Sequence, residues 1–318
     1  MIEVLTPKSR EEWLHLRKDT IGASEVAAVL GVHPYMTPFK LWALKSGKWG
    51  NDETKAMRRG RMLEDDCIEI LREERPEWTV TPNVIGHGSK FYRDVDAGLS
   101  ATPDALIQKR CFAPQDASQF GICQIKTVNE HTFRKDWADN NGSIQVPTYV
   151  AIQAIQEADL TGASWACVAA FVGMDLEPHI MDVELHVGMM GKIRRRVPEF
   201  LRRVRDNDPP PVDYARDAET IRAQYAEDDG GEVDLSGNER VQSLLTQRGG
   251  FAHLEKQGDA AREWRAGVDA ELIHILGNAT RGNLGDGRYI EAATVRKKEC
   301  VHKATTFRTV KIKQRREK

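Results

Sequence analysis

The sequence predicts an α/β (α+β) fold, with a helix-flanked sheet core over residues 1–212 and a helical and β-hairpin accessory region over residues 213–318. Three observations predict it. Helical spacings dominate residues 9–75, and short β-prone runs separated by Gly, Pro and Asp replace them over residues 78–127. Pro209-Pro210-Pro211 and the acidic, Gly-containing residues 213–234 then break the pattern. The αα, sheet, α, β order makes a core whose sheet presents acidic residues at one edge. With 318 residues and 40% hydrophobic content the chain can bury a sizeable core.

Ser9 before Glu11 and Glu12 reads as a helix N-cap, with Trp13 and Leu16 inward and Arg17 near the helix end. A second helix runs from Ala23 to Leu30 and is stopped by Gly31 and Pro34. Thr37-Pro38 opens a third over residues 39–45. Residues 54–75 place Met57, Met62, Leu63, Cys67, Ile70 and Leu71 at helical spacings, with Glu64 among them. Residues 78–85, 91–99, 105–107 and 121–127 are strand-like and suggest a mainly antiparallel sheet. Residues 147–158 read as a helix, 165–172 and 179–185 as strands, and 187–205 as a basic amphipathic helix with a kink at Pro198. Beyond the triproline, residues 238–276 are a helix pair or one broken helix, and residues 282–310 form hairpin strands around Gly285-Asp286-Gly287.

The net charge of −2 conceals segregation: residues 296–318 hold ten Lys/Arg against two Glu, a net of +8, so the remainder carries −10. Such a tail suits nonspecific phosphate contact, and so does the arginine run of residues 192–205, for which a solvated helix face is equally expected. Cys67, Cys111, Cys123, Cys167 and Cys300 are odd in number and far apart, which excludes a Cys-x-x-Cys metal or redox motif and fits reduced thiols in a cytoplasm. No basic-then-apolar leader and no membrane-length apolar run is present, so a soluble, unexported protein is expected. Residues 282–287 are not a phosphate loop, because no Gly-Lys-Ser/Thr follows.

The candidate chemistry-bearing residues are Asp104, in Ser100-Ala101-Thr102-Pro103-Asp104, and Gln124 and Lys126, in Cys123-Gln124-Ile125-Lys126-Thr127, for which a solvated strand end is the competing reading of the spacing alone. Phosphodiester cleavage needs an activated water and neutralisation of phosphate charge. Asp104 offers two oxygens to hard cations, position 124 a further one and the Ile125 backbone carbonyl another. Strand alternation puts side chains 124 and 126 on one face, where Lys126 can orient water or stabilise the transition state. Glu64 would lend a carboxylate to a second cation. Arg17 with Ser24 suits an anion grip, since a hydroxyl near a helix start and a bidentate guanidinium both match phosphate; an N-cap serine and a surface arginine are the competing reading.

The order of motifs resembles a known family. Trp13-x-x-x-Arg17, Ile21-Gly22-Ala23-Ser24-Glu25-Val26, Leu30-Gly31, Pro34-Tyr35, Thr37-Pro38 and Leu41-Trp42 are similar to the opening of the YqaJ-type viral recombinases. Arg59-Gly60 with Leu63-Glu64, Ser100 to Asp104, Gln124 to Thr127, and Gln153 with Leu160-Thr161-Gly162 and Trp165 continue the likeness over about residues 9–205. That family groups with the phage lambda exonuclease in the PD-(D/E)XK nuclease superfamily. The resemblance implies a restriction-endonuclease-like core, a central mixed sheet flanked by helices. It implies Glu64, Asp104 and position 124 as metal-binding positions, Lys126 as catalytic lysine, Arg17 and Ser24 on the terminal 5′ phosphate, and Gln153 on the helix behind the site. It further implies Mg²⁺, with Mn²⁺ as substitute and two ions per site, and 5′ to 3′ digestion of linear duplex DNA from its ends. A homotrimeric ring, a single-strand annealing partner and a bacterial host cytoplasm are implied as well.

Gln124 departs from the family pattern, which has a carboxylate there. Its amide oxygen keeps coordination possible while lowering cation affinity. Three expectations stand: a nuclease working with Gln as ligand, a degenerate DNA-end-binding protein, or an introduced inactivating change. A structure-specific endonuclease is a further alternative.

Overall fold

Local capping sets where the first helices begin. Ser9 accepts a hydrogen bond from the Glu12 backbone N–H, Thr54 from that of Met57 and Asn129 from that of Thr132, each relieving an unpaired amide of a first turn. The computed structural model describes all residues except 51–53, 86–87, 110–118, 140–141, 255–257, 286, 297–305 and 315–318. Cys111, Cys300, Asp286, Lys297, Lys298, Arg315 and Arg316, which figure in the sequence reading, therefore lie outside the described residues.

The chain divides into two units, Met1–Lys45 with Asn51–Asp208, and Ser46–Gly50 with Pro209–Lys318. The first contains β1 (Ile2–Leu5), α1 (Arg10–Arg17), β2 (Ile21–Gly22), α2 (Ala23–Val29), α3 (Pro38–Lys45), α4 (Lys55–Glu74), β3 (Trp78–Pro82) and β4 (Phe91–Asp94). It continues with β5 (Leu99–Ala101), β6 (Ala105–Lys109), β7 (Phe120–Val128), α5 (Glu130–Asp136), α6 (Thr148–Thr161), β8 (Trp165–Val172), β9 (Glu177–Val183) and α7 (Val187–Arg205).

The expected mixed sheet flanked by helices is present. Its strand order is β3-β6-β7-β8-β9; β7 and β8 run parallel, and the other neighbours are antiparallel. The parallel pair requires a crossover, which α5 and α6 provide. One expectation is corrected: the β-prone runs do not form a single sheet. β4 and β5 join a separate sheet of order β1-β4-β5-β2, in which the short β2 pairs in parallel with β5, Ile21 opposite Leu99.

The two faces of the larger sheet differ in what covers them. Cys67, Ile68 and Leu71 of α4 pack with Cys123, Ile125, Cys167, Ala169 and Phe171. Alternation leaves Ile122, Gln124, Val168 and Ala170 on the opposite face, and α6 packs on β7 and β8 with Ile152, Ile155 and Ala158 buried. The Gln156 amide ties α6 to both strands of the short parallel pair, donating to the carbonyls of Ile21 and Ser100 at 3.0 and 2.9 Å. Cys67, Cys123 and Cys167 are buried free thiols.

Gly121, the second residue of β7, lies directly opposite Trp165, and a Cβ there would clash with the indole. Gly121→Ala is therefore expected to destabilise the protein by about 1–3 kcal/mol through overpacking, seen as a lower urea unfolding midpoint. An unchanged midpoint would mean that the Trp165 ring swings away at no cost.

In the second unit, residues 213–234 are not the linker that their composition suggests. They hold α8 (Tyr214–Gln224) and β10 (Glu232–Asp234). Asp213 caps α8, accepting from the Arg216 N–H, and its own N–H donates to the buried Asp217 carboxylate at 2.8 Å. There follow α9 (Glu239–Leu254), α10 (Asp259–Leu276), β11 (Arg281–Asn283), β12 (Arg288–Glu291), β13 (Thr294–Arg296), β14 (Thr306–Arg308) and β15 (Lys311–Gln314). The sheet order is β10-β11-β12-β15, with β13 and β14 a separate pair. Among the described residues no helix is long and apolar enough to cross a membrane.

Candidate active site

Asp104 sits at the corner where β5 leads into β6. Buried Asn83 pins that corner: its amide donates to the Pro103 carbonyl at 3.0 Å, and its N–H to the Asp104 carbonyl at 2.9 Å. The Trp13 indole N–H reaches Thr102 Oγ1 at 3.0 Å, tying α1 to the same corner. The Asp104 carboxylate then meets β7 from the side. Its Oδ2 accepts from the Ile125 backbone N–H at 2.7 Å and from Gln124 Nε2.

Gln124 is 3% exposed and its Nε2 also lies 3.5 Å from the Ile125 carbonyl oxygen. Lys126 exerts an electrostatic pull on Asp104, and the charges of both act on Glu64, from α4. The structure thus brings Glu64, Asp104, Gln124, Ile125 and Lys126 together.

Burial pushes the Asp104 carboxyl up, outweighing Lys126 and the two donated hydrogen bonds. Burial, then the charges of Asp104 and Asp65, push Glu64 up to about 7 against the pull of Lys126.

Glu157 was not among the residues singled out from the sequence. It lies on α6, 1% exposed, accepting from Gln153 Nε2 at 2.9 Å. Burial and then Asp104 push it up to about 8, against Gln153 and Lys126. The signal that could have exposed it is a carboxylate set among the buried apolar residues Ala154, Ile155, Ala158 and Leu160 of α6.

The donor set fits a hard divalent cation. Gln124 Oε1 and Glu157 Oε2 are both buried without a hydrogen-bond partner among the described residues. Polar atoms buried in this way are costly unless something binds them. A half-turn of the Gln124 amide would exchange the donor now aimed at Asp104 for an acceptor aimed at the same place. Among the described residues no three His, Cys, Asp or Glu side chains are grouped closely enough to hold a metal ion by themselves, so backbone and amide oxygens would have to complete the set.

A cleft beside this group is lined by Trp13, Arg17, Ser24, Thr102, Gln153 and Glu157. Gln153 thus faces the cleft. Arg17 Nη2 donates to Ser24 Oγ at 3.2 Å and pairs with Glu25 at 3.2 Å, its guanidinium lying 4.5 Å above the Trp13 ring. The seven-residue α2 is capped internally, with the Gly22 N–H donating to Glu25 Oε2 at 2.8 Å. Glu25 also pairs with Lys45 at 2.9 Å. Burial acts to raise its carboxyl, and Arg17 and Lys45 together hold it below the usual range. Two cations and one carboxylate leave this trio a net single positive charge. A Cβ at Gly22 would meet Arg17 Nη2 at 2.7 Å, so a side chain there would push the guanidinium out of its present place.

The arginine run on α7 is largely spoken for. Arg194 clamps Asp94 and Asp159, each at 2.6 Å, while Arg196, Arg202 and Arg203 pair with Glu199, Asp206 and Asp208. The solvated, locally neutralised face is the reading these pairs favour.

Comparison with known proteins adds the following. The chain is 24% identical over 287 residues to the uncharacterized protein YqaJ of Bacillus subtilis (strain 168), covering 87% of this chain and 82% of that one. Among solved structures it resembles the alkaline exonuclease LHK-Exo from Laribacter hongkongensis (TM-score 0.48, 20% identity, 62% of this chain and 94% of that one). It also resembles a phage-related exonuclease from Haemophilus somnus 129PT (TM-score 0.40, 12% identity, 59% and 94%). Residues 12–164, from Glu12 in α1 to the turn before β8 and including every residue of the group around Asp104, match the YqaJ-like viral recombinase domain.

Proposed function

We propose that this chain is a Mg²⁺-dependent nuclease of the PD-(D/E)XK type that resects linear duplex DNA from its 5′ ends in phage-type recombination. The observation that carries the reading is the convergence of Glu64, Asp104, Gln124 and Lys126 beside the Arg17–Ser24 cleft. The YqaJ-like domain supports it. When bound, Mg²⁺, or Mn²⁺ in its place, supplies charge neutralisation at the scissile phosphate. Asp104, Glu64, the Gln124 amide oxygen and the Ile125 carbonyl are the groups that would hold it.

Lys126 stabilises negative charge building on the phosphate and orients the attacking water. Arg17 and Ser24 hold the terminal 5′ phosphate and so set the distance from strand end to cut. A homotrimeric ring, a single-strand annealing partner and action in the cytoplasm of a bacterial host complete the proposal.

The test is one gel of 5′-phosphorylated linear, 5′-hydroxyl linear and covalently closed circular duplexes with Mg²⁺. Nucleotide release from the first, slower release from the second and none from the circle are expected. Nicking of the circle would replace the exonuclease by an endonuclease. Salt-sensitive end binding with no release would favour the noncatalytic reading, for which the uncharged Gln124 is the specific observation. Arg17→Ala should lower the preference for 5′-phosphorylated ends by about 10-fold or more, the worth of a charge-assisted contact. An unchanged preference would remove Arg17 from the phosphate site.

A further inference from the structure

We propose that Glu157 supplies, from α6, the second carboxylate of the cation site that position 124 lacks. This rests on the nuclease reading and adds to it a ligand placed on a different element. The charge tally calls for it. Asp104, Gln124 and Lys126 sum to zero, too little to hold a divalent cation, and ligand charge count sets the affinity of such sites. Glu64 on α4 contributes one negative charge from one face of the sheet.

Glu157 contributes another from the other face, where alternation also directs Gln124. Both Glu157 and Gln124 carry a buried oxygen with no hydrogen-bond partner among the described residues, on the side of β7 that α6 covers. Glu157 feels the charges of Asp104 and Lys126, as Glu64 does. A role in stability alone does not account for it. A carboxyl with one oxygen desolvated and unpaired destabilises the fold that contains it, and a cation reverses that cost. Gln153, one helical turn away, holds Oε1 and thereby points Oε2.

The test is cation binding to the full-length protein without DNA, by calorimetry with Mg²⁺ and by Mn²⁺ electron paramagnetic resonance. Glu157→Gln should weaken binding by about 10- to 100-fold, the usual effect of losing a group that holds a cation site. Gln124→Glu in the Glu157→Gln background moves the carboxylate back onto β7 and should recover most of that loss. Thermal unfolding of the cation-free variants confirms that they are folded. Undiminished cation binding in Glu157→Gln, or no recovery in the double variant, overturns the proposal and leaves the nuclease reading standing. Absence of cation binding in the unaltered protein overturns both.

Discussion

Asp104→Ala is expected to abolish Mg²⁺-dependent resection of a 5′-phosphorylated duplex, with a loss on the order of 10³-fold or more, equivalent to about 4 kcal/mol of transition-state stabilisation. The charge of Asp104 raises both Glu64 and Glu157, and Asp104 is the group that β6, β7 and Asn83 jointly position. Its loss should remove cation binding along with the rate. Glu64 is pushed up to about 7 and Glu157 to about 8 in the cation-free protein, so both are largely protonated below those values. Cation binding must displace those protons, and apparent affinity in the unaltered protein should rise with pH until about 8 and then level off. Undiminished resection by the alanine variant would sink the assignment of this site.

Lys126→Met is expected to lose about 10²- to 10³-fold in rate, the range seen when a group that stabilises developing charge is removed. Its signature differs from that of Asp104→Ala. Lys126 is a positive charge beside a would-be cation site, so its removal should leave Mg²⁺ affinity unchanged or improved. A variant that loses rate and cation affinity in parallel would recast Lys126 as a support for the fold of the site. One that keeps its full rate would exclude it from the chemistry.

How much of this was legible in the sequence depends on whether the determinant is local. Thr54 and the amphipathic spacing after it fix α4 almost to the residue, and the apolar run of β8 matches the structure from Trp165 to Val172. The two-residue β2 was not legible, because it becomes a strand only by pairing with Leu99 and Ser100, some 78 residues away. α8 was concealed by acidic composition, although Asp213 is an N-cap of ordinary type.

In the site, Asp104 and Lys126 could be singled out by residue type and order, and Arg17 with Ser24 by family likeness. Glu157 could not, because its importance arises from the crossover that lays α6 over the face of β7 bearing Gln124. The sequence carries the residue four positions after Gln153 but not the distance across the sheet.

On the proposed phosphate-site reading, the Arg17–Glu25–Lys45 trio bears on what happens between successive cuts. A terminal phosphate monoester carries close to two negative charges, and the trio opposes it with one net positive charge. Glu25 also competes for the guanidinium, so Arg17 has a resident partner to return to whenever the phosphate departs. If Arg17 and Ser24 hold the strand end as proposed, such a grip would place each new terminus and then release it, which favours stepwise advance over stalling.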